Sequence, residues 1–303
     1  MSHMVMIVGH GTVDEEGQAE CHKLVEAVRA ARPDVRVETG FLELCPPPIT
    51  DTVAQAVADG VDHITVVPLM LLGAGHSKGD IPAALELQQR QHPGLKFTYA
   101  SPLGVRPELV EAVDERVAAA VPEGEREQTG VALIGRGTTD PDANADLAKV
   151  ARLLWEGRSW HEVQAGFVSL ADPSVPATLD RLRALGSKKI AVTPYFLFTG
   201  VLERRIRAQA NEWAESNPDV EVVHAEYFGP AETVARLVWT RADEAMKGEA
   251  HANCDTCLYR AKLPGFEDKV GAPQTLHFHP DDDHTHGHHH HDHGHSHSHS
   301  HGH

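Results

Sequence analysis

The sequence predicts an α/β fold of two duplicated lobes, each a parallel sheet with helices on both faces, followed by a short cysteine-containing segment and a His-rich tail. Three observations carry this reading. Apolar runs of strand length alternate with amphipathic stretches at helical spacing. Their order occurs twice at one offset. The composition then changes after about residue 247.

VMIVGHG is a short apolar run that ends in glycines, a first strand. From Gln18 to Ala31 the apolar positions Leu24, Val25 and Val28 follow helical spacing. VRVETGFLEL predicts a second strand, ITDTVAQAVADG a second helix closing at Gly60, and HITVVPLML a third strand. DIPAALELQQRQ opens a third helix, with Asp80 as its expected N-cap and proline at an early helical position. LKFTYASPL and ELVEAVDERVAAAV complete the first series. Continuous apolar strands between amphipathic helices indicate a parallel sheet covered on both sides.

The second half repeats that order. VALIGRGTTD matches VMIVGHGTVD, AGFVSLADP matches TGFLELCPP, and IAVTPYFLFTG matches ITVVPLMLLGAG. The offset is constant at 126 residues for Gly9 and Gly135, Phe41 and Phe167, Gly60 and Gly186, and Pro68 and Pro194. It slips by one near the end, where Leu103-Gly104 matches Phe228-Gly229. Chance rarely holds one offset across three strands. The expected domains are residues 1–122 and 131–247, joined by a polar linker around 121–130. Residues 248–303 form the cysteine segment and tail.

Composition removes several function classes. Lys and Arg number 27 against 44 Asp and Glu, a net charge of −17, so no basic stripe is present for nucleic acid. No stretch reaches the roughly 20 apolar residues of a membrane span. The N-terminus has none of the features of a signal peptide. Four cysteines in 303 residues are no disulfide framework, and a reducing cytoplasm is the expected location.

Parallel α/β sheets bind ligands beyond the carboxyl ends of their strands. Strand one is expected to end at His10, strand two at Glu43, and strand three to run through Gly73-Ala74-Gly75 into His76. Three groups able to bind metal or move protons thus share one sheet edge. The duplication is an internal control. At the constant offset His10 becomes Arg136, Glu43 becomes Ser169 and His76 becomes Leu202, whereas the glycines, prolines and phenylalanines persist. Residues needed only by the fold would persist in both copies. GHGT as a phosphate loop is disfavoured, because GxxxxGK[ST] and GxGxxG are both absent. Glu43 also fits a carboxylate that caps a neighbouring helix.

The ordered set GHGT, GFLEL and GHSKGDIP resembles the class II chelatases of the CbiX and SirB type. A complete half fused to a degenerate half, then CxxC and a His-rich tail, is similar to the long-form CbiX sirohydrochlorin cobaltochelatases. The resemblance covers nearly the whole chain. It implies a chelatase-like (flavodoxin-like) fold and insertion of Co2+ into sirohydrochlorin. It also implies His10 and His76 as metal-binding and proton-accepting residues, with Glu43 assisting. The chemistry agrees: insertion removes two pyrrole protons, and imidazole is both a base and a borderline-soft ligand near neutral pH. Fe2+ and Ni2+ remain alternative ions. A metal-storage or delivery protein is the alternative from another class.

Sirohydrochlorin carries acetate and propionate groups, and a chain at −17 needs local cations to hold them. The candidates are Lys78, Arg136, Arg204 and Arg205, although Arg204 and Arg205 also fit a solvated helix face. The resemblance implies an Fe–S cluster at Cys254 and Cys257. These supply half of a usual ligand set. The remaining ligands would come from a second subunit, making a homodimer through this segment, or from His251, Cys21 or Cys45. The tail holds 14 histidines between His277 and His303. It is read as a disordered metal reservoir of weak imidazole sites.

Overall fold

The computed structural model describes residues 2–257 and 259–272. The first series comprises β1 (His3–Gly9), α1 (Glu15–Ala31), β2 (Arg36–Phe41), α2 (Ile49–Ala58), β3 (His63–Pro68), α3 (Ile81–Gln91), β4 (Lys96–Tyr99) and α4 (Pro107–Ala120). The second comprises β5 (Thr129–Gly135), α5 (Pro141–Trp155), β6 (Glu162–Phe167), α6 (Val175–Ala184), β7 (Lys189–Pro194), α7 (Val201–Ser216), β8 (Glu221–His224) and α8 (Glu232–Met246). Among the described residues these build two four-stranded parallel sheets of one topology, β2-β1-β3-β4 and β6-β5-β7-β8. No helix among them is long and apolar enough to cross a membrane.

Strands end earlier than the sequence suggests. Pairing of the first two strands stops at Gly9 and Phe41, so His10 and Glu43 lie in loops just past the ladder. The cause is local. Gly11 takes a φ of 99° and Leu44 a φ of 65°, left-handed conformations that break the pleat. β3 likewise closes at Pro68, which has no N–H to extend a ladder. Helix three also differs: Asp80 has helical dihedrals and makes no side-chain cap bond, because a π-helical turn, His76–Asp80, precedes α3.

The last helix of each series crosses to the other sheet. α4 packs on α5, β7 and β8, while α8 packs on α1, β3 and β4. The exchange is sealed by matching contacts. Arg116 of α4 donates Nε–H to the Tyr227 carbonyl at 2.6 Å, and Arg241 of α8 donates Nε–H to the Leu103 carbonyl at 3.2 Å. Trp239 of α8 is buried, and its indole N–H reaches the Val28 carbonyl of α1 at 2.9 Å. The Arg32 guanidinium lies 4.4 Å from the Trp239 ring and pairs with Asp243 of α8. One apolar core therefore runs through both halves, joining Val5 and Ile7 to Val131 and Leu133 by way of α1, α4, α5 and α8. The outer faces have separate cores beneath α2 and α3, and beneath α6 and α7.

Residues 1–122 expressed alone would leave bare the face of β3 and β4 that Val238, Trp239 and Ala242 cover. Each large apolar side chain so lost forfeits about 1.5–3 kcal/mol. The fragment is expected to have no folded monomer in sedimentation and circular dichroism. A cooperative monomeric melt at micromolar concentration would contradict the interlock.

Candidate active site between the lobes

Two backbone bonds bring the loops after β1 and β2 together: Leu42 N–H to the Gly9 carbonyl and Glu43 N–H to the His10 carbonyl, each 3.0 Å. A Cβ on Gly11 would lie 1.9 Å from the Glu43 carbonyl oxygen, so only glycine permits this approach. The result places His10 Nε2 3.1 Å from Glu43 Oε1. The third loop contributes His76 at the start of its π-helical turn, and the rings of His10 and His76 meet edge to face at 4.6 Å between centroids. All three groups predicted from the strand ends thus converge on one spot, each mostly shielded from solvent.

Hydrogen bonds set the tautomers. A carbonyl can only accept, so His10 Nδ1–H donates to the Gly11 carbonyl at 3.1 Å. His10 Nε2 then faces the Glu43 carboxylate. Two lone pairs at that distance repel, so the pair is stable only with a proton or a cation between them. His76 Nδ1–H donates to Asp80 Oδ2 at 2.6 Å, and Asp80 is 3% exposed. That arrangement, a buried carboxylate behind an imidazole, fixes the ring and makes Nε2 the basic nitrogen. Asp80 was expected only to cap a helix; its carboxylate orients His76 instead.

The second lobe repeats the backbone and replaces the chemistry. Ser169 N–H bonds the Arg136 carbonyl at 3.0 Å, as Glu43 bonds His10, and a Cβ on Gly137 would lie 1.8 Å from the Ser169 carbonyl oxygen. Between the lobes lies a cleft of about 1130 Å³, lined by His10, His76, Arg136 and Arg205. Apolar walls come from Leu69 and Leu72 on one side and Phe196, Phe198 and Leu202 on the other. The volume is just above the usual range for small-molecule pockets, and the walls suit a large flat ligand.

Two expected carboxylate clamps are engaged elsewhere. Lys78 Nζ lies 2.7 Å from Asp140 Oδ2 and 2.8 Å from Asp142 Oδ2, both buried at the start of α5. Burial alone would lower the Lys78 pKa, but the two aspartates more than offset it and hold the ammonium above its ordinary range. Burial raises the Asp142 pKa, and bonds from Lys78 and Thr256 outweigh this and hold it below the usual carboxylate range. The sign follows. The aspartate contribution is present above about pH 4 and is lost as pH falls through the depressed value. The lysine contribution is present below about pH 10 and is lost as pH rises through the raised one. The Lys78–Asp142 pair therefore stays charged across the neutral range. Arg204 pairs with Asp14 on the first lobe. Arg136 and Arg205 remain in the cleft wall.

The segment after α8 supplies a wall that sequence reasoning missed. Tyr259, Phe266 and Lys269 line the cleft. Nothing in their spacing marks them, because the segment has no periodic structure and only its docking brings them there. Cys254 is exposed and Cys257 half-buried, and all four cysteines are free. Cys21 and Cys45 line the cleft in the first lobe, where burial pushes the Cys21 thiol up to about 12. Among the described residues no three His, Cys, Asp or Glu side chains are grouped to hold a metal ion. No third such donor is grouped with Cys254 and Cys257 among the described residues, and the Fe–S expectation is not supported. The tail from His277 lies outside the described residues.

The CbiX family model matches residues 4–120 and, again, residues 130–245. The sirohydrochlorin cobaltochelatase of Priestia megaterium is 38% identical, with 84% of each chain covered. The sirohydrochlorin ferrochelatase of Bacillus subtilis (strain 168) is 34% identical over 73% of this chain and 84% of its own. Among solved structures, SirB from Bacillus subtilis with Fe3+ superposes with a TM-score of 0.72 at 32% identity, covering 82% of this chain and 98% of that one.

Asp80→Asn exchanges a charge-assisted bond for a neutral one and replaces an acceptor-only carboxylate with an amide that can present either its oxygen or its NH2 to His76. The expected cost is about 1 kcal/mol. Imidazole 15N shifts should show His76 leaving the Nδ1–H tautomer for a mixture; an unchanged tautomer would show that Asp80 does not set it.

Proposed function

Because this chain belongs to the CbiX family, we propose that it is a sirohydrochlorin chelatase that inserts Co2+ into the macrocycle. The observation that carries the reading is the meeting of His10, Glu43 and His76, with both imidazoles at the wall of one large cleft. The first lobe, residues 1–122, holds this chemistry. The second, residues 131–247, faces it with Arg136 and apolar side chains.

The geometry divides the work. Macrocycle faces stack on the apolar walls of the cleft. The His76 Nε2 lone pair, oriented by Asp80, accepts one of the two pyrrole protons, and the His10–Glu43 pair accepts the other once it has released the ion. The gap between His10 Nε2 and Glu43 Oε1 takes the incoming substrate ion in place of a proton, and the ion passes to the ring nitrogens as they deprotonate. Arg136, at the equivalent strand end of the other lobe, holds a peripheral carboxylate. Cobalt is favoured by the long cobaltochelatase relative. The same scaffold serves iron in others, and imidazole and carboxylate donors suit both ions. The tail from His277 we read as a local metal store outside this machinery.

His10→Ala and His76→Ala are each expected to lower kcat by about 100-fold or more, the usual range for losing a positioned base, with an unchanged circular dichroism spectrum. Anaerobic absorbance with metal-free sirohydrochlorin and Co2+, Fe2+ or Ni2+ in turn measures this and ranks the ions. Wild-type rates in either variant, or faster insertion of Fe2+ than Co2+, would refute the site or the ion respectively.

Arg136→Ala should raise the KM for the tetrapyrrole by about 10-fold, the value of one charge-assisted bond, and leave kcat within about 2-fold, because a remote clamp contributes mostly uniform binding. An unchanged KM at low salt would remove Arg136 from the binding site.

A further inference from the structure

We propose that Thr256, inside the Cys254–Cys257 motif, positions the His76 turn through Asp142 and Lys78, so that the segment after α8 sets the geometry of the catalytic loop. The proposal rests on the reading of His76 given above.

The chain of contacts is continuous. Lys78 lies within the π-helical turn that begins at His76 and ends at Asp80. Its ammonium crosses to the second lobe and bonds Oδ2 of both Asp140 and Asp142. The two carboxylates differ in what else they hold. Asp140 uses its other oxygen within α5, where Oδ1 accepts the Asp142 N–H at 3.1 Å. Asp142 turns its other oxygen to the C-terminal segment, where Oδ1 accepts the Thr256 hydroxyl at 2.6 Å and the Asn253 amide at 3.4 Å. One carboxylate therefore joins the CxxC segment on one side to the catalytic turn on the other. Tyr259 of the same segment stands beside the loop before His76, where a side chain added at Gly75 would reach ordinary contact with its hydroxyl.

The turn has reason to need such ties. A π-helical turn is a rare form of backbone found mostly at functional sites. Here it starts from a glycine-bearing loop, Gly73-Ala74-Gly75. Its inner side is held by the first lobe, through the Tyr99 hydroxyl donating to the Ser77 carbonyl at 2.8 Å and through His76 on Asp80. Lys78 ties it to the second lobe. Lys78 does not line the cleft, so its effect on a bound tetrapyrrole would pass through His76. A lysine that merely joined the lobes would not need its partner carboxylate to be fixed in turn by the CxxC segment.

The test is made in the full chain, by steady-state insertion of Co2+ into metal-free sirohydrochlorin. Thr256→Val keeps the shape and removes the hydroxyl. It is expected to lower kcat about 3- to 10-fold, the usual weight of one hydrogen bond, with the tetrapyrrole KM within about 2-fold of wild type. Thr256→Ser should restore kcat. In a Lys78→Met background, where the chain is already cut, Thr256→Val should change kcat by less than about 2-fold. Asp142→Asn replaces Lys78→Met in the cycle if the methionine variant fails to fold. Wild-type kcat in Thr256→Val, no recovery with serine, or a full additional loss in the cut background would each overturn the proposal. His76→Ala separates the two readings: if it is inactive while Thr256→Val is unaffected, only the positioning chain fails. If His76→Ala inserts metal normally, the site itself is misassigned.

Discussion

The exchange of α4 and α8 is the constraint on which the rest of the molecule depends. Each sheet needs apolar cover on both faces, and each takes part of that cover from the other half of the chain. The lobes therefore share one core instead of meeting across a polar, mobile seam. Their carboxyl edges are held facing each other, and the cleft between them exists because neither lobe can turn away without uncovering its sheet. Arg116 and Arg241 state the same constraint in polar terms. Each sits on an exchanged helix and donates to a backbone carbonyl at the equivalent point of the opposite lobe.

On this symmetric frame the chemistry is one-sided. Backbone devices are duplicated: the tight approach at Gly11 recurs at Gly137, and the left-handed Leu44 recurs as Leu170. Side chains at the ends of those devices are not duplicated. A fused pair of lobes allows this division, because the second copy must keep its glycines to fold but has no need of a second imidazole pair. Its strand end carries a guanidinium, and Leu202, at the start of α7, stands where the first lobe has His76. A guanidinium and an apolar wall on one side face two imidazoles on the other.

Burial sets how firmly the parts are held. An enclosed ammonium costs several kcal/mol unless it is paired, and Lys78 is paired twice. The geometry around it is therefore narrow, since either aspartate moving away would leave buried charge exposed to an apolar surrounding. Asp80 acts similarly behind His76, where a carboxylate with little access to water is held to one imidazole nitrogen. The turn from His76 to Asp80 is thus held by short charge-assisted bonds, while much of the cleft it faces is walled by apolar side chains such as Leu69, Leu72, Phe196 and Phe198.

By itself the sequence determined the alternation of strands and helices, the duplication with its 126-residue offset, and the asymmetry of His10, Glu43 and His76 against Arg136, Ser169 and Leu202. These are legible because periodicity, glycine placement and residue type are local properties, and a repeated chain carries its own comparison. Strand ends were overrun by one to four residues, since apolar runs continue past the points where the backbone turns, as at Gly11 and Leu44. Tertiary structure alone decided the helix exchange, because an amphipathic helix specifies that it must cover a sheet but not which one. It alone turned Asp80 from a cap into the partner of His76, drew Lys78 out of the cleft to Asp140 and Asp142, and laid Tyr259 and Thr256 against the site. Each of those depends on the partner that charge or hydrogen bonding finds across 60 residues or more, or on a π-helical turn that no spacing rule marks, and partner choice is settled by packing in three dimensions.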